Sequence, residues 1–322
     1  MLPNYNIENA KKVVYYIYNF AMPRFHAIFL TCIALLAGFA YSGEYWNVEP
    51  GAGAIKMLSM PTEPRSAALA GAGIASPRNA GEAFRNPLAS ASVNSSSINF
   101  SKTDYSELIS ASRMSMMAHT MLGSFHLSAG IESLNYDKIQ EYTEDGLTAD
   151  GLYFAPGTIA AQFGAAKKFN SLTAGLNARY ANQNIDNSYV HGVLLDAGMK
   201  YDFQKYLAFG AVFNNLGQMS SSTGAKTISP LSVQAGLTAN CPLTLGFSGA
   251  LSADIYKRND LAEEFRTGLE IMYSEVFSLR LGYSNTISAG FAIGLGFGSI
   301  EYAYQNRKAL EANHIFGIGL YF

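Results

Sequence analysis

The body of this chain alternates with a period of two, and the two faces it makes are chemically unlike. In "SAGFAIGLGFG" (288–298), Phe291, Ile293, Leu295 and Phe297 share one face, while Gly290, Ala292, Gly294 and Gly296 share the other. In 172–180, Leu172, Ala174, Leu176, Ala178 and Tyr180 oppose Thr173, Gly175, Asn177 and Arg179. In 231–240, Leu231, Val233, Ala235 and Leu237 oppose Ser232, Gln234, Gly236 and Thr238. Strict alternation over such lengths marks β-strands set between two environments. The second face is Gly, Ser, Thr and Asn with single charges in mid-strand: Arg179, Asp196, Lys200, Asp254, Arg266, Glu270, Arg280 and Glu301. A soluble sandwich turns its apolar face inward and its charges to bulk water. Here the apolar face is the bulkier one in strand after strand. Only 14% of residues are charged, against roughly 25% in a typical soluble domain. The assignment therefore inverts, with the apolar face toward lipid and the glycine-and-charge face toward an enclosed interior.

About fourteen such segments are expected, near 94–102, 107–117, 121–135, 158–169, 172–183, 189–202, 206–216, 231–240, 243–256, 264–274, 277–285, 288–297, 299–307 and 313–322. Most reach the roughly 9–11 residues a tilted strand needs to cross a bilayer. Every second connection is tight: 118–120, Asn170-Ser171, 203–205, Cys241-Pro242, 274–276 and Gly298. Several of the others are long, notably 136–157, 217–230 and 257–263. Short periplasmic turns alternating with longer outer loops are the habit of outer-membrane barrels. Phe169, Phe203, Tyr206, Tyr273, Phe277 and Phe297 stand beside the tight turns, and Phe322 falls at the same level, as an interfacial aromatic girdle would. The last stretch, "HIFGIGLYF", then serves as a closing strand with Phe316, Ile318, Leu320 and Phe322 toward lipid, and it must pair with the first strand because an open edge in lipid leaves backbone groups unsatisfied. Ending on an aromatic after alternating apolar residues resembles the signal read by barrel-insertion machinery. The expected fold class is an all-β, transmembrane outer-membrane barrel of about fourteen antiparallel strands.

Upstream of the barrel, Arg24, the apolar run 27–39 and Ala40-Tyr41-Ser42 have the layout of an export signal, preceded by an extension over 1–21. The domain reading is therefore 1–42 extension and signal peptide, 43–93 an N-terminal hatch, and 94–322 the barrel, with a bacterial outer-membrane location. Two cysteines, Cys32 and Cys241, leave one thiol after cleavage at 42. Five scattered histidines give no zinc pattern, and a net charge of -2 gives no basic face for nucleic acid. No cofactor is expected.

The 43–93 segment does not alternate. It is rich in Gly, Ala, Pro and Ser, with Met57, Leu58, Met60 and Phe84 among its few apolar residues. Its stretch "PRSAALAGAGIASPRNAGEAFRNPLA" is similar to the N-terminal motif of PorV/PorQ-type proteins, within the FadL-like group of long-chain fatty-acid transporters. Arg65, Ser66, Ala67, Ala68, Gly71, Asn86 and Pro87 match that motif. Leu69-Ala70 replaces the usual Met-Gly, Leu88 replaces Ala, and Arg78-Asn79 stands where an acidic residue is usual. The later "YLAFGAVFNNLG" also resembles a recurring family strand. The resemblance implies a fourteen-stranded barrel with a hatch that passes or binds a hydrophobic or amphipathic molecule such as a fatty acid. A PorV-like role would instead be binding of exported proteins in type IX secretion. A third expectation is an architectural barrel without cargo.

Chemistry of the catalytic kind is sparse. Neither glycine-rich stretch has a phosphate-loop setting, since no Gly-Lys-Ser/Thr follows. His126 and Glu132, with Ser124 and Ser128, share the polar face of one strand. Base rates make a hydrogen-bonded lumen lining the better reading, and no catalysis is expected. The lumen charges, with both signs in similar number, are expected to neutralise one another and pin the hatch. A carboxylate cargo would need an unpaired cation, for which Arg65 and Arg85 are the candidates, and the hatch around Asn86-Pro87 would have to move or leave a gap. Transport predicts a continuous apolar passage past Met57, Leu58, Met60 and Phe84. Protein binding predicts a sealed lumen with apolar outer loops, 136–157 first among them.

Overall fold

The computed structural model describes Trp46 and residues 48–322, apart from 106–109, 141, 144–145, 148–151, 205, 225–226, 244, 275 and 308–310. The export signal expected before residue 43 lies outside the described residues. Glu49–Phe322 forms one unit.

Fourteen antiparallel strands close on themselves. They are β1 Ser97–Asp104, β2 Ala111–Leu122, β3 Phe125–Tyr136, β4 Gly157–Phe169, β5 Leu172–Ile185, β6 Ser188–Gln204 and β7 Leu207–Ser221. The second half is β8 Ser232–Pro242, β9 Phe247–Arg258, β10 Glu264–Tyr273, β11 Phe277–Ser284, β12 Thr286–Gly294, β13 Gly298–Gln305 and β14 Asn313–Tyr321. Each pairs with its neighbours in sequence. β14 returns to β1, from Ser97 opposite Tyr321 to Asp104 opposite His314, so no edge is left in lipid.

The faces fall as the period-two pattern requires. Phe291, Ile293, Phe316, Ile318 and Leu320 are exposed on the outside, while Glu270 and Arg280 are buried within. The aromatics beside the tight turns, including Phe169, Tyr206, Tyr273, Phe297 and Phe322, are all exposed. Several boundaries differ from the sequence expectation: Cys241-Pro242 ends β8, Gly298 opens β13, and β7 continues past 216 to Ser221. β2 runs through 118–120 to Leu122, and the turn is Gly123-Ser124. His119 and Thr120 read as turn residues, but His119 fills an inward position and Thr120 bonds Ser96 across to β1 (Oγ1···Oγ 3.0 Å).

Before β1 the chain makes short helical turns: Lys56–Ser59, the helix α1 Pro64–Ala68, then Ala80–Phe84 and Ala89–Ser92. These thread the lumen, and their packing against the wall makes the site.

Candidate functional site: the hatch and its seat

Residues 53–95 run from one rim of the lumen to the other. At the long-loop rim, Ala54 N donates to Ile228 O (2.9 Å) and Gly53 N to Asp260 Oδ2 (3.2 Å). At the tight-turn rim, His119 Nδ1 lies 3.1 Å from Ser95 O. A barrel of this size has an interior its own side chains cannot fill, so a segment folded inside it is the physical complement of the strand count.

The wall grips the hatch level by level. Arg113 donates to Met60 O and Pro61 O (both 3.2 Å) and to Thr62 Oγ1 (2.8 Å), while it pairs with Glu132. Arg65 is fully buried and bridges hatch to wall, with Nη1 to Glu82 at 3.1 Å and Nη2 to Glu270 at 2.8 Å. Arg78 and Arg280 reach the same Glu270 at 2.9 and 2.8 Å, and Arg280 also pairs with Glu301. Nearer the long-loop rim than Glu270, Asp254 Oδ2 accepts from Ile74 N (3.0 Å) and from Gln234 Nε2 (2.7 Å), and that same Nε2 donates to Gly71 O (2.7 Å).

The turn Ala80–Phe84 shows the logic at one element. Its start is closed by a capping box between Asn79 and Glu82. Its end leaves carbonyls that the turn itself cannot satisfy. Gln162 and Asn177 both donate to Ala83 O at 2.8 Å, Arg179 donates to Phe84 O, and Asn214 donates to Arg85 O at 3.0 Å. Arg179 is held in turn by Asp196 at 2.9 Å.

Glycines on the lumen face are seats for hatch backbone. At Gly282 a Cβ would collide with the backbone of Leu69 and Ala70, and at Gly290 it would come within 2.6 Å of Ala68 Cβ. Gly175 meets Pro87 in the same way. At these three positions the absence of a side chain leaves space the hatch occupies.

Other predicted site residues have different neighbours from those expected. His126 and Glu132 do not meet: Glu132 belongs to Arg113, and His126 stacks on His119 with ring nitrogens 3.3 Å apart. Ser124 lies in the turn. Lys200 pairs with Asp202 (3.0 Å), away from the hatch, and Arg266 pairs with Glu264 (2.7 Å) and stacks on Tyr256. Met57 and Leu58 are packed with Ile55, Leu134, Leu194 and Met219, and Phe84 is packed with Met117 and Ala89. Among the described residues these three side chains are core, packed on their neighbours. Asn86 ties hatch to hatch, donating to Ile74 O (3.0 Å) and accepting from Leu88 N (3.1 Å). Arg113 was missed in the sequence reading. Its alternation with the outward Met114 and Met116 places it in the lumen and was the signal that could have found it.

Open space lies elsewhere. A chamber of about 690 Å³ at the tight-turn end is lined by Arg78, Asn79, Met272, Val276, Arg280 and Glu301, among others. A second, of about 230 Å³ at the long-loop end, is lined by Met60, Pro61, Ala70, Tyr256, Leu261 and Arg266, among others. Both lie against the β9–β13 arc of the wall. Between them stand the Leu69-Ala70 turn on Gly282 and the Arg65–Glu270–Arg280 lattice.

No family model matches the chain, and no curated protein matches its sequence. Solved structures do. The toluene transporter TodX of Pseudomonas putida aligns over 85% of this chain and 98% of its own, at 11% identity and a TM-score of 0.53. The toluene transporter TbuX of Ralstonia pickettii covers 81% and 98% at 13% identity, with a TM-score of 0.55. A TodX mutant described as a monoaromatic hydrocarbon channel reaches 0.58 at 12% identity, over 81% and 99%. This chain shares the barrel fold of these structures. At such identities the likeness is one of architecture, and what the barrel carries rests on its own lumen.

Proposed function

We propose that this barrel sits in a bacterial outer membrane and passes or binds an amphipathic or hydrophobic small molecule, along the β9–β13 side of its lumen. The observation that carries this reading is the pair of chambers on one arc of the wall, separated by the Leu69-Ala70 turn and the Arg65–Glu270–Arg280 lattice. Their linings mix Met, Val, Leu and Tyr with Arg, Asn and Ser, which suits a molecule with both characters. Structures of similar fold, toluene transporters and a monoaromatic hydrocarbon channel, support the same class of cargo. The gate is the Leu69-Ala70 turn: it rests on two wall glycines and is clamped by paired charges, so it can lift without unmaking a strand ladder.

Wedging that turn tests the reading. In Gly282→Ala with Gly290→Ala, the first methyl occupies space the Leu69-Ala70 backbone now fills, and the second meets Ala68 Cβ together with the wall's Tyr302 O. The expected result is faster entry of a labelled fatty acid or toluene into cells lacking the native gene and carrying the variant, above wild type and well above empty cells. Equal entry in all three would defeat it.

A second reading follows from a different observation. The loop between β3 and β4 exposes Ile139, Leu152 and Tyr153, which fits capture of an exported protein at the outer mouth, as in the PorV/PorQ role. That reading gains if secretion, and not small-molecule entry, changes when these three become Ser. An architectural barrel is the outcome if neither changes.

A further inference from the structure

The apolar outer face of the barrel is interrupted on β1. On β5 and β9 the outward positions carry no charge and no amide until Asn182 and Lys257, each ten residues from the tight-turn end of its strand. On β1 the outward residues are Ile98, Phe100, Lys102 and Asp104, so charge arrives five residues from Ser97. At roughly 3.3 Å per residue and a tilt of about 40°, five residues climb about 13 Å, half-way up an apolar band roughly 25 Å tall. Lys102 Nζ bends to Asp104 Oδ1 at 2.8 Å, yet both side chains stay nearly half exposed, at 48% and 43%. His314 of β14 stands opposite Asp104, and the Tyr302 hydroxyl of β13 lies 2.8 Å from His314 Nδ1. Three strands thus put ionisable and hydroxyl groups at a height where β5 and β9 offer acyl chains only apolar ones. Ionisable groups at that depth are costly against lipid and mark a contact of another kind.

The wall is also low on this side. β1, β11 and β13 have 8 residues each, against 17 in β6 and 15 in β7. Eight residues climb about 18 Å at that pitch, less than the band itself.

The charges say what covers the patch, because it is its own complement. Copies of one barrel share an orientation in the bilayer, so a two-fold axis between them runs along the membrane normal. Strand tilt sets Lys102 and Asp104 to either side of such an axis, and Lys102 then faces Asp104 of the partner subunit. Around the pair, Phe100, Met114, Met116 and Phe316 are exposed, the aromatic and Met composition that interface cores favour.

We propose that the face formed by β13, β14, β1 and β2 is a homodimer interface, in which Lys102 and Asp104 of two copies of this chain exchange partners. The inference rests on the barrel's place in a bilayer and not on what its lumen carries.

The test is sedimentation equilibrium of the purified full chain in density-matched detergent. Wild type should sediment as a reversible dimer. Lys102→Glu and Asp104→Lys should each weaken the dimer several-fold, because like charges then meet across the axis. An equimolar mixture of the two variants should dimerise again, since every contact between unlike copies joins opposite signs. A wild type that is monomeric at every concentration overturns the proposal, and this arm depends on no variant folding. Variants that each dimerise as wild type does place the contact elsewhere and overturn it too. So does a mixture that stays monomeric, because the two charges would then act only within one chain.

Discussion

Glu63 shows how one carboxyl sets the charge balance of the hatch. It precedes α1 without capping it, packs on Gly81 where any Cβ would strike its carboxylate, and leaves Oε1 without a hydrogen-bond partner. Burial first, then Glu301 and Glu82, push its pKa up from 4.5 to about 8. At neutral pH it is therefore protonated, and the lattice beside it is neutral: Arg65, Arg78 and Arg280 against Glu82, Glu270 and Glu301. The sign of the pH dependence follows. Between its ordinary value and about 8, the folded state holds a proton that the unfolded state has lost. Stability from this group is therefore full below about pH 4.5 and is lost as pH rises to about 8. The gap sets a limit of several kcal/mol, at about 1.4 kcal/mol per tenfold change in proton affinity. Glu63→Gln removes this dependence. Circular-dichroism melts of the two proteins from pH 4 to 9 should diverge upward, with the variant melting several degrees higher at the alkaline end. Parallel curves would show that Glu63 ionises as freely in the fold as outside it.

At the scale of one strand, β7 carries the irregularity that matters most. Leu195 pairs with Leu216 but Ala197 pairs with Phe213, so Asn214 and Asn215 together oppose Asp196. Asn215 takes a φ of 64°, and both amides stay in the lumen: Asn214 holds the Arg85 carbonyl, while Asn215 accepts from Arg179 (3.1 Å) and donates to Pro230 O (3.1 Å). Strand propensity alone would favour Val over Gly at 215. The bulge reverses that order. Gly enters the left-handed region freely and loses only the side-chain bonds, at about 1–2 kcal/mol. Val loses the same bonds and adds roughly 1–2 kcal/mol of backbone strain. Melting temperatures should therefore rank wild type, then Asn215→Gly, then Asn215→Val, and a more stable Val variant would mean that the bulge relaxes into a regular ladder. The same strand marks what could be read in advance. Alternation gave the faces of almost every strand, because a lipid-facing surface must be apolar at every second position. It could not give the bulge in "FNNLG", which depends on a partner strand's register. Nor could it give Arg65–Glu270, since no local pattern links residues 205 positions apart. The first tight turn was misplaced for a related reason: His119-Thr120 is polar, and only the lumen explains a histidine there.

For the whole molecule the question is whether the hatch is a core or a door. A core in a soluble protein cannot be removed, because the surrounding elements lose their only dry surface. Here the outer apolar face is satisfied by lipid, and every strand ladder closes without the hatch. The wall's own pairs, Arg113–Glu132, Arg179–Asp196 and Arg280–Glu301, also lie wholly within the barrel. Deleting 49–93 therefore strips Arg65 and Arg78 from Glu270 but leaves it Arg280, and water entering the lumen solvates what the hatch had covered. The expected product is an assembled barrel with a wide, steady conductance in planar bilayers, where the intact chain is closed or flickers. The Gly282→Ala, Gly290→Ala variant should fall between the two, with openings whose lifetime reports how often the Leu69-Ala70 turn lifts. If the deleted chain instead fails to assemble, the packing of Ile55, Met57 and Leu58 against Leu134, Leu194 and Met219 is needed to build the barrel. The hatch would then be part of what builds the barrel, and the conductance of the Gly282→Ala, Gly290→Ala variant alone would report whether local lifting of that one turn opens the lumen.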